Sequence, residues 1–301
     1  MYADILGWQA NYLLSRRRNL QVSNWTRQAA HRKAASLIGY IIAIWLVAFI
    51  PPVWAQSESD EAQEAAARDA QNPIAHLITL PLQNNTNFNA GPLEKTQDVL
   101  LVQPVIPVTL NEDWVLITRW ITPVIYEPQL TNTGNSEFGL GNMEPQFYFS
   151  PAHPGSFIWG IGPQLWMPTA TDKELGINRW GGGPAAVGLT IQGHWVAGAL
   201  LNNVWAGSGT EKVDQLTFQP FVNYNMKGGW YLVSSPLMTA NWVAKSGERW
   251  TVPLGGGFGR VFKIDKQAIN ASVQYFSMVV RPDNAPSWTL RLQVQFLFPK
   301  S

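Results

Sequence analysis

The sequence predicts an antiparallel transmembrane β-barrel of about twelve strands. Three observations carry that expectation. Charge is sparse, at 14% of 301 residues, while aromatic residues reach 12% and include 15 tryptophans. From about Ile74 to the end, segments of roughly ten residues alternate apolar with polar or small side chains. Short turns and longer polar loops then alternate between those segments, as in bacterial barrels with turns in the periplasm and loops outside.

Composition narrows the field first. Soluble domains carry nearer a quarter charged residues, whereas a surface half in lipid and half around water needs few. The overall charge of +1 mixes two unlike parts. Residues 1–55 hold six basic side chains and one acid, Asp4, leaving 15 basic and 19 acidic residues in the remainder. That net −4 offers no basic patch for nucleic acid. With no cysteine, disulfide frameworks, thiolate metal sites and cysteine nucleophiles are excluded.

The N-terminal 1–55 reads as a secretory signal. Leu37 to Ile50 is one apolar run, preceded by Arg27, Arg32 and Lys33 and followed by Val53-Trp54-Ala55. The run is too short for a membrane helix, which needs about 20 residues. Basic flank, apolar core and a small residue at the end fit cleavage after Ala55. An uncleaved anchor is the alternative. The residues before the apolar core exceed what a signal needs, so a start downstream of 1–35 stays open. Residues 56–73 follow as an acidic, flexible periplasmic lead-in, disordered or loosely helical, with five acids against Arg68 in 56–71.

The barrel proper spans 74–301, with strands expected at 75–88, 97–109, 114–126, 140–150, 157–169, 179–191, 195–206, 214–226, 230–242, 249–263, 267–281 and 287–299. The last is the clearest. Trp288, Leu290, Leu292, Val294, Phe296 and Phe298 share one face, and Arg291, Gln293 and Gln295 the other. Arginine on a two-residue period inside an apolar strand points to lipid on one face and a watery lumen on the other. Tight turns fall at 111–113, 192–194, 227–229 and 264–266, with a slightly longer one at 151–156. Loops fall at 127–139, 170–178, 207–213 and 243–248.

Tryptophans sort by distance from the turns. Trp114, Trp159, Trp195 and Trp230 follow short turns; Trp180, Trp205, Trp242, Trp250 and Trp288 lie near long loops. Indole favours the headgroup zone, where its body is apolar and its N–H is satisfied, so two interface girdles are expected. A weak repeat supports hairpin duplication: Gln103, Pro104 and Trp114 recur 116 residues later as Gln219, Pro220 and Trp230. Prolines 104, 107, 123, 145, 163, 184, 220, 236 and 253 fall inside the strands and must sit at bulges or unpaired positions, because proline cannot donate to a ladder. One consequence would be a side exit for hydrophobic solutes. The runs 181–183 and 255–257 are glycine; lacking a strand–loop–helix context, they read as bends or sites of close approach rather than a phosphate loop.

The Trp and Pro phase assigns Gln103, Arg119, Glu144, Gln146, Arg179, Gln219, Asn223, Arg249, Gln274, Arg291 and Gln293 to the lumen as candidate permeation residues. Tyr148, Gln164 and Asn270 join them. Amides with a few opposed charges suit a small polar channel better than an ion-selective ring. The same residues could also hydrogen-bond one another in a closed structural barrel.

A barrel lipid hydrolase needs a serine activated by histidine at the outer lipid boundary. His153 and His194 fall instead in periplasmic turns and His76 near the first strand, so no enzyme activity, metal or cofactor is expected.

Several motifs resemble a family of bacterial outer-membrane proteins named after the meta-pathway of phenol degradation, some of whose members are labelled neuromedin U. The carriers are Gln103-Pro-Val-Ile-Pro-Val, Leu110-Asn-Glu-Asp-Trp, Phe138-Gly-Leu-Gly-Asn and Trp159-Gly-Ile-Gly-Pro. Pro168-Thr-Ala-Thr-Asp, Gln219-Pro-Phe-Val-Asn-Tyr-Asn and Gln293-Val-Gln-Phe-Leu-Phe-Pro-Lys complete the set. The resemblance implies a barrel in the outer membrane that passes small, hydrophobic or aromatic compounds. It names no catalytic or binding set. Where relatives often carry Asp after Gly-Leu-Gly, Asn142 stands here, which argues against a metal or charge role. The expected partners are outer-membrane lipid, the barrel-assembly machinery during insertion, and small solutes.

Overall fold

Alternating side-chain polarity closes one sheet on itself. The computed structural model describes residues 60–207 and 212–298, so residues 1–59, where the signal sequence is expected, and residues 208–211 and 299–301 lie outside the described residues. Among the described residues, helix α1 (Asp60–Gln71) precedes β1 (Ile78–Ala90), β2 (Lys95–Val102), β3 (Val105–Thr109), β4 (Trp114–Glu127), β5 (Glu137–Leu140), β6 (Glu144–Pro151) and β7 (Phe157–Trp166). Then follow β8 (Gly181–Gln192), β9 (Trp195–Ala206), β10 (Val213–Asn225), β11 (Trp230–Ser234), β12 (Met238–Asn241), β13 (Trp250–Ile264), β14 (Gln267–Val280) and β15 (Trp288–Phe298).

Every described pairing is antiparallel, and β1 meets β15 in unbroken register from Ile78 opposite Phe298 to Phe88 opposite Trp288. That seam closes the barrel and leaves no edge. Three barrel strands are each interrupted once: β2–β3, β5–β6 and β11–β12. Counted as continuous staves, the strands number twelve. All twelve expected segments are present, with ends displaced by a few residues.

Prolines sit in two of the three interruptions; the β5–β6 break, at Gly141-Asn142-Met143, has none. Pro104 sits in the β2–β3 break and Pro236 in the β11–β12 break. Pro253 occupies a register shift on β13, and Pro163 lies opposite Pro184, so two residues that cannot donate face each other. The ladder between β11–β12 and β13 runs Val233 to Gly257, stops, and resumes at Thr239 opposite Thr251. Pro220, on the neighbouring strand, faces the same gap.

Glycine allows the close approach expected of it. A Cβ on Gly259 would stand 2.3 Å from the Tyr231 ring, and one on Gly256 only 2.7 Å from the Val233 carbonyl oxygen. The broken strand therefore packs directly onto β13.

Inside, packed side chains leave only part of the barrel open. Ile74, Val105, Val115, Ile117, Tyr148, Val187, Leu189, Leu200 and Phe221 form one apolar cluster on the turn side. The acidic stretch, expected as a flexible lead-in, is helical over 60–71. Its small side chains Ala67 and Ala70 are buried against Tyr231, Val261, Ala268 and Leu297 at the turn end. A 12-residue helix is marginal alone, so this packing is what holds it.

Candidate functional site: the barrel lumen

The lumen contains two cavities stacked along the barrel axis, with about 150 Å³ and 110 Å³ of water-holding space. The first lies toward the turn end, beneath Ala70, Gln71 and Asn72. The second lies toward the loop end, among Asn85, Asn87, Thr239, Thr251 and Thr289. Gln83, Gln103, Arg119, Leu200 and Gln219 line both and mark the waist between them.

Alternation aims these side chains inward. On β15, Thr289, Arg291, Gln293 and Gln295 line the cavities, while Trp288 stacks outside on Phe88 at 3.7 Å between ring centroids. Gln103, Arg119, Gln146, Gln219, Asn223, Gln274, Arg291 and Gln293 all line one cavity or both. Glu144 is fully buried behind them, accepting from Gln164 at 3.2 Å; Gln146 donates to Gln164 at 2.9 Å and Tyr148 to Gln146 at 3.0 Å. Asn270 accepts from the Tyr231 hydroxyl at 2.6 Å.

Two expected lumenal arginines are elsewhere. Arg179 is exposed in the loop before β8, and Arg249 is exposed one residue before β13, donating to the Ala244 carbonyl at 3.0 Å. Both expectations extended the two-residue period past the true strand end, where inward and outward lose meaning.

The two remaining lumenal cations differ in company. Arg119 donates to the Gln103 side chain and feels Glu144 and Tyr148 nearby. Arg291 donates through Nε to Asn85 at 2.9 Å and through Nη1 to the Ser235 carbonyl and hydroxyl at 2.7 and 3.2 Å. Its guanidinium carbon stands 4.8 Å from the Phe276 ring centroid. Ser235, Phe276 and Asn85 were not singled out from sequence; alternation could have placed Asn85 and Phe276 inward, but nothing marks Ser235 as folding in.

The loop end is capped by the connection between β7 and β8. Leu175 is 1% exposed and packs on Val99 and Ile125, which point into the lumen. Asn142 fastens the base of that loop, its amide donating to the Met167 and Ile177 carbonyls, each at 2.7 Å. An Asp here could not donate, which gives Asn142 a structural reason. Below Leu175, a chain of hydrogen bonds runs round the wall from Thr289 to Asn87, Gln97 and Glu127, at 2.6 to 2.7 Å.

Outside, the tryptophans expected in the girdles fall toward the two ends of the strands. Trp114 meets Trp159 edge-on at 6.1 Å, Trp195 packs on Tyr224 at 4.8 Å, and Arg260 lies over Trp230 at the turn end. Trp242 meets Trp250 at 5.6 Å near the loop end, beside the Trp288 stack. Trp180 and Trp205 are exposed at the same end. His153 and His194 lie in turns beyond β6 and β8, and His76 just before β1.

No protein-family model matches the chain, and no curated protein matches it. Among solved structures, an outer membrane channel from Pseudomonas putida F1 is similar, with TM-score 0.55 and 14% identity over 82% of this chain and 98% of that one. A monoaromatic hydrocarbon channel is more distant, with TM-score 0.44 and 8% identity over 82% of this chain and 94% of that one. Outer membrane phospholipase A from Escherichia coli has TM-score 0.41 and 14% identity, over 74% and 96%. The first likeness establishes an outer-membrane type of barrel fold; the others are too remote to carry an argument.

Proposed function

We propose that the protein is an outer-membrane barrel for passive or facilitated passage of small organic solutes. The carrying observation is the pair of lumenal cavities joined at one amide-and-arginine waist. Amide walls exchange hydrogen bonds with a passing solute at little net cost, because each donor or acceptor lost is replaced by another. Turns then face the periplasm and loops the exterior. The Trp bands sit at headgroup level, signal cleavage follows Ala55, and the barrel-assembly machinery inserts the mature chain.

In this reading α1 and the Leu175 loop cap a resting passage and move during transport. The test is purified protein in liposomes and planar bilayers, offered sugars, aromatic acids and simple ions. Folded protein that passes none of them would overturn the reading. A closed structural barrel is the second reading, favoured by the apolar cluster packed on the turn side. The interrupted ladder at Pro220, Pro236 and Pro253 supports a side exit toward lipid as a variant of the transport reading.

A further inference from the structure

We propose that the loop-side cavity is a binding site for an amphiphilic organic carboxylate, whose carboxylate pairs with Arg291 while its apolar body packs on Leu237, Phe276 and Met278. This deepens the transport reading by naming a solute class, and it rests on that reading for access to the site.

The first argument is charge. Arg119 and Arg291 are the ionisable side chains lining the two cavities apart from Tyr231, and no acid joins them in the lining. Arg119 has Glu144 as a nearby counter-charge. Arg291 has none: its three acceptors are neutral oxygens, and its second terminal nitrogen, Nη2, finds no protein acceptor among the described residues. Lys173 and Glu174 pair at 3.7 Å on the loop between β7 and β8, outside the lining of either cavity. A guanidinium only 5% exposed and lacking a counter-ion is costly to keep unless something anionic completes it. Its planar fork favours a carboxylate, which two parallel N–H groups can grip.

The second argument is the wall beside it. Leu237, Phe276 and Met278 line the cavity on the side of Arg291, and Val99, Leu101 and Ile121 line it elsewhere. An inorganic anion would leave that apolar surface wet, and a neutral hydrocarbon would leave the cation unanswered. A carboxylate on a small ring or short chain satisfies both, and the space of about 110 Å³ limits the body to that size. The waist then acts as the next station, with Arg119 already partly neutralised and so a weaker hold.

The experiment measures binding of benzoate, benzamide and acetate to the folded full chain in detergent micelles, by calorimetry, beside their flux into proteoliposomes. Benzoate should bind about tenfold or more tightly than either benzamide, which lacks the charge, or acetate, which lacks the ring. Arg291→Met should abolish the preference over benzamide. Should that variant fail to fold, judged by heat-modifiable migration, Leu237→Glu offers Arg291 an internal carboxylate and should remove the preference equally. Wild-type protein that binds benzoate no better than benzamide overturns the site, even if sugars pass and the channel reading stands. Benzoate bound selectively while neither it nor any sugar or ion passes supports the site and overturns the channel.

Discussion

Arg291 and Ser235 meet inside the barrel at 2.7 Å although two whole strands, β13 and β14, separate their own in the sheet. The contact exists because residues 235–237 leave the wall and fold into the lumen. Their support comes from β14, where the Gln274 side chain accepts from both the Ser235 N–H at 3.1 Å and its hydroxyl at 2.9 Å. Gln274→Leu removes that acceptor and strands a buried donor, a loss of about 1–3 kcal/mol. The expected outcome is a lower unfolding midpoint together with a severalfold rise in unitary conductance, as the inward fold loosens. Unchanged conductance at reduced stability would show that residues 235–237 do not narrow the path.

Asn142 makes a sharper substitution possible. Its amide holds both ends of the 167–180 loop, so Asn142→Asp keeps size but loses both donors and sets a charge against two carbonyl oxygens. Loop closure should weaken by about 1–3 kcal/mol with the barrel intact. Limited proteolysis should then cut between 167 and 180 in the variant well before the wild type. Equal cleavage rates would place the anchor elsewhere.

The strands were readable because each carries its own evidence: β15 shows its two faces in eleven residues, and its pairing needs nothing beyond them. Breaks were half readable. Proline signals that a ladder must yield, but whether the chain bulges, as at Pro253, or leaves the wall, as at Ser235, depends on partners across the barrel. Arg179 and Arg249 were misplaced because periodicity holds only inside a strand, and strand ends are set by loop contacts. The docking of the helix was invisible for a related reason: Ala67 and Ala70 look like the inside of a solvated segment until a concave mouth accepts small side chains. The cap at Leu175 was missed because a lone apolar residue in a polar loop has no pattern.

The Leu175 cap carries a proton-linked element in its neighbour. Burial raises the Glu174 carboxyl above its ordinary value; Lys173 lowers it and Asp172 raises it further. Glu127 and Glu137 also feel its charge. A carboxyl raised in the closed loop binds its proton more tightly there than when free. Closure is therefore favoured below the ordinary carboxylate range and loses that support as pH climbs through the raised value. Conductance should fall on acidification across the carboxylate range, and Glu174→Gln should flatten that part of the profile. A variant with wild-type pH dependence would dismiss Glu174 as the group responsible.

Packing at the glycine run offers a stability test free of function. Gly259→Val would drive a side chain into the Tyr231 ring, closer than non-bonded atoms approach. Overpacking of this kind costs about 1–3 kcal/mol, so the variant's urea midpoint should drop clearly. Gly155→Ala is the control, because nothing lies within 4 Å of the added carbon, and it should leave the midpoint unmoved. Equal effects would mean that β11 can move away from β13 freely, against the close packing described.

The turn-end helix gives the most direct test of whether the passage is gated. α1 is held there by Ala67 and Ala70 in their apolar seat, by Arg68 donating to the Gly193 carbonyl at 3.0 Å, and by paired amide bonds between Gln71 and Asn225 at 2.8 and 3.2 Å. Gln71 also lines the cavity beneath. Because the chain has no cysteine, Gln71→Cys with Asn225→Cys makes a unique pair that oxidation can close. Flux of a neutral sugar should be low in the oxidised protein and recover on reduction. Arg68→Ala with Gln71→Ala should raise flux severalfold above wild type, since each lost hydrogen bond weakens docking by about 1 kcal/mol. Should the oxidised pair conduct as well as the reduced one, solutes pass beside a fixed helix, and the gate must be sought at Leu175 instead.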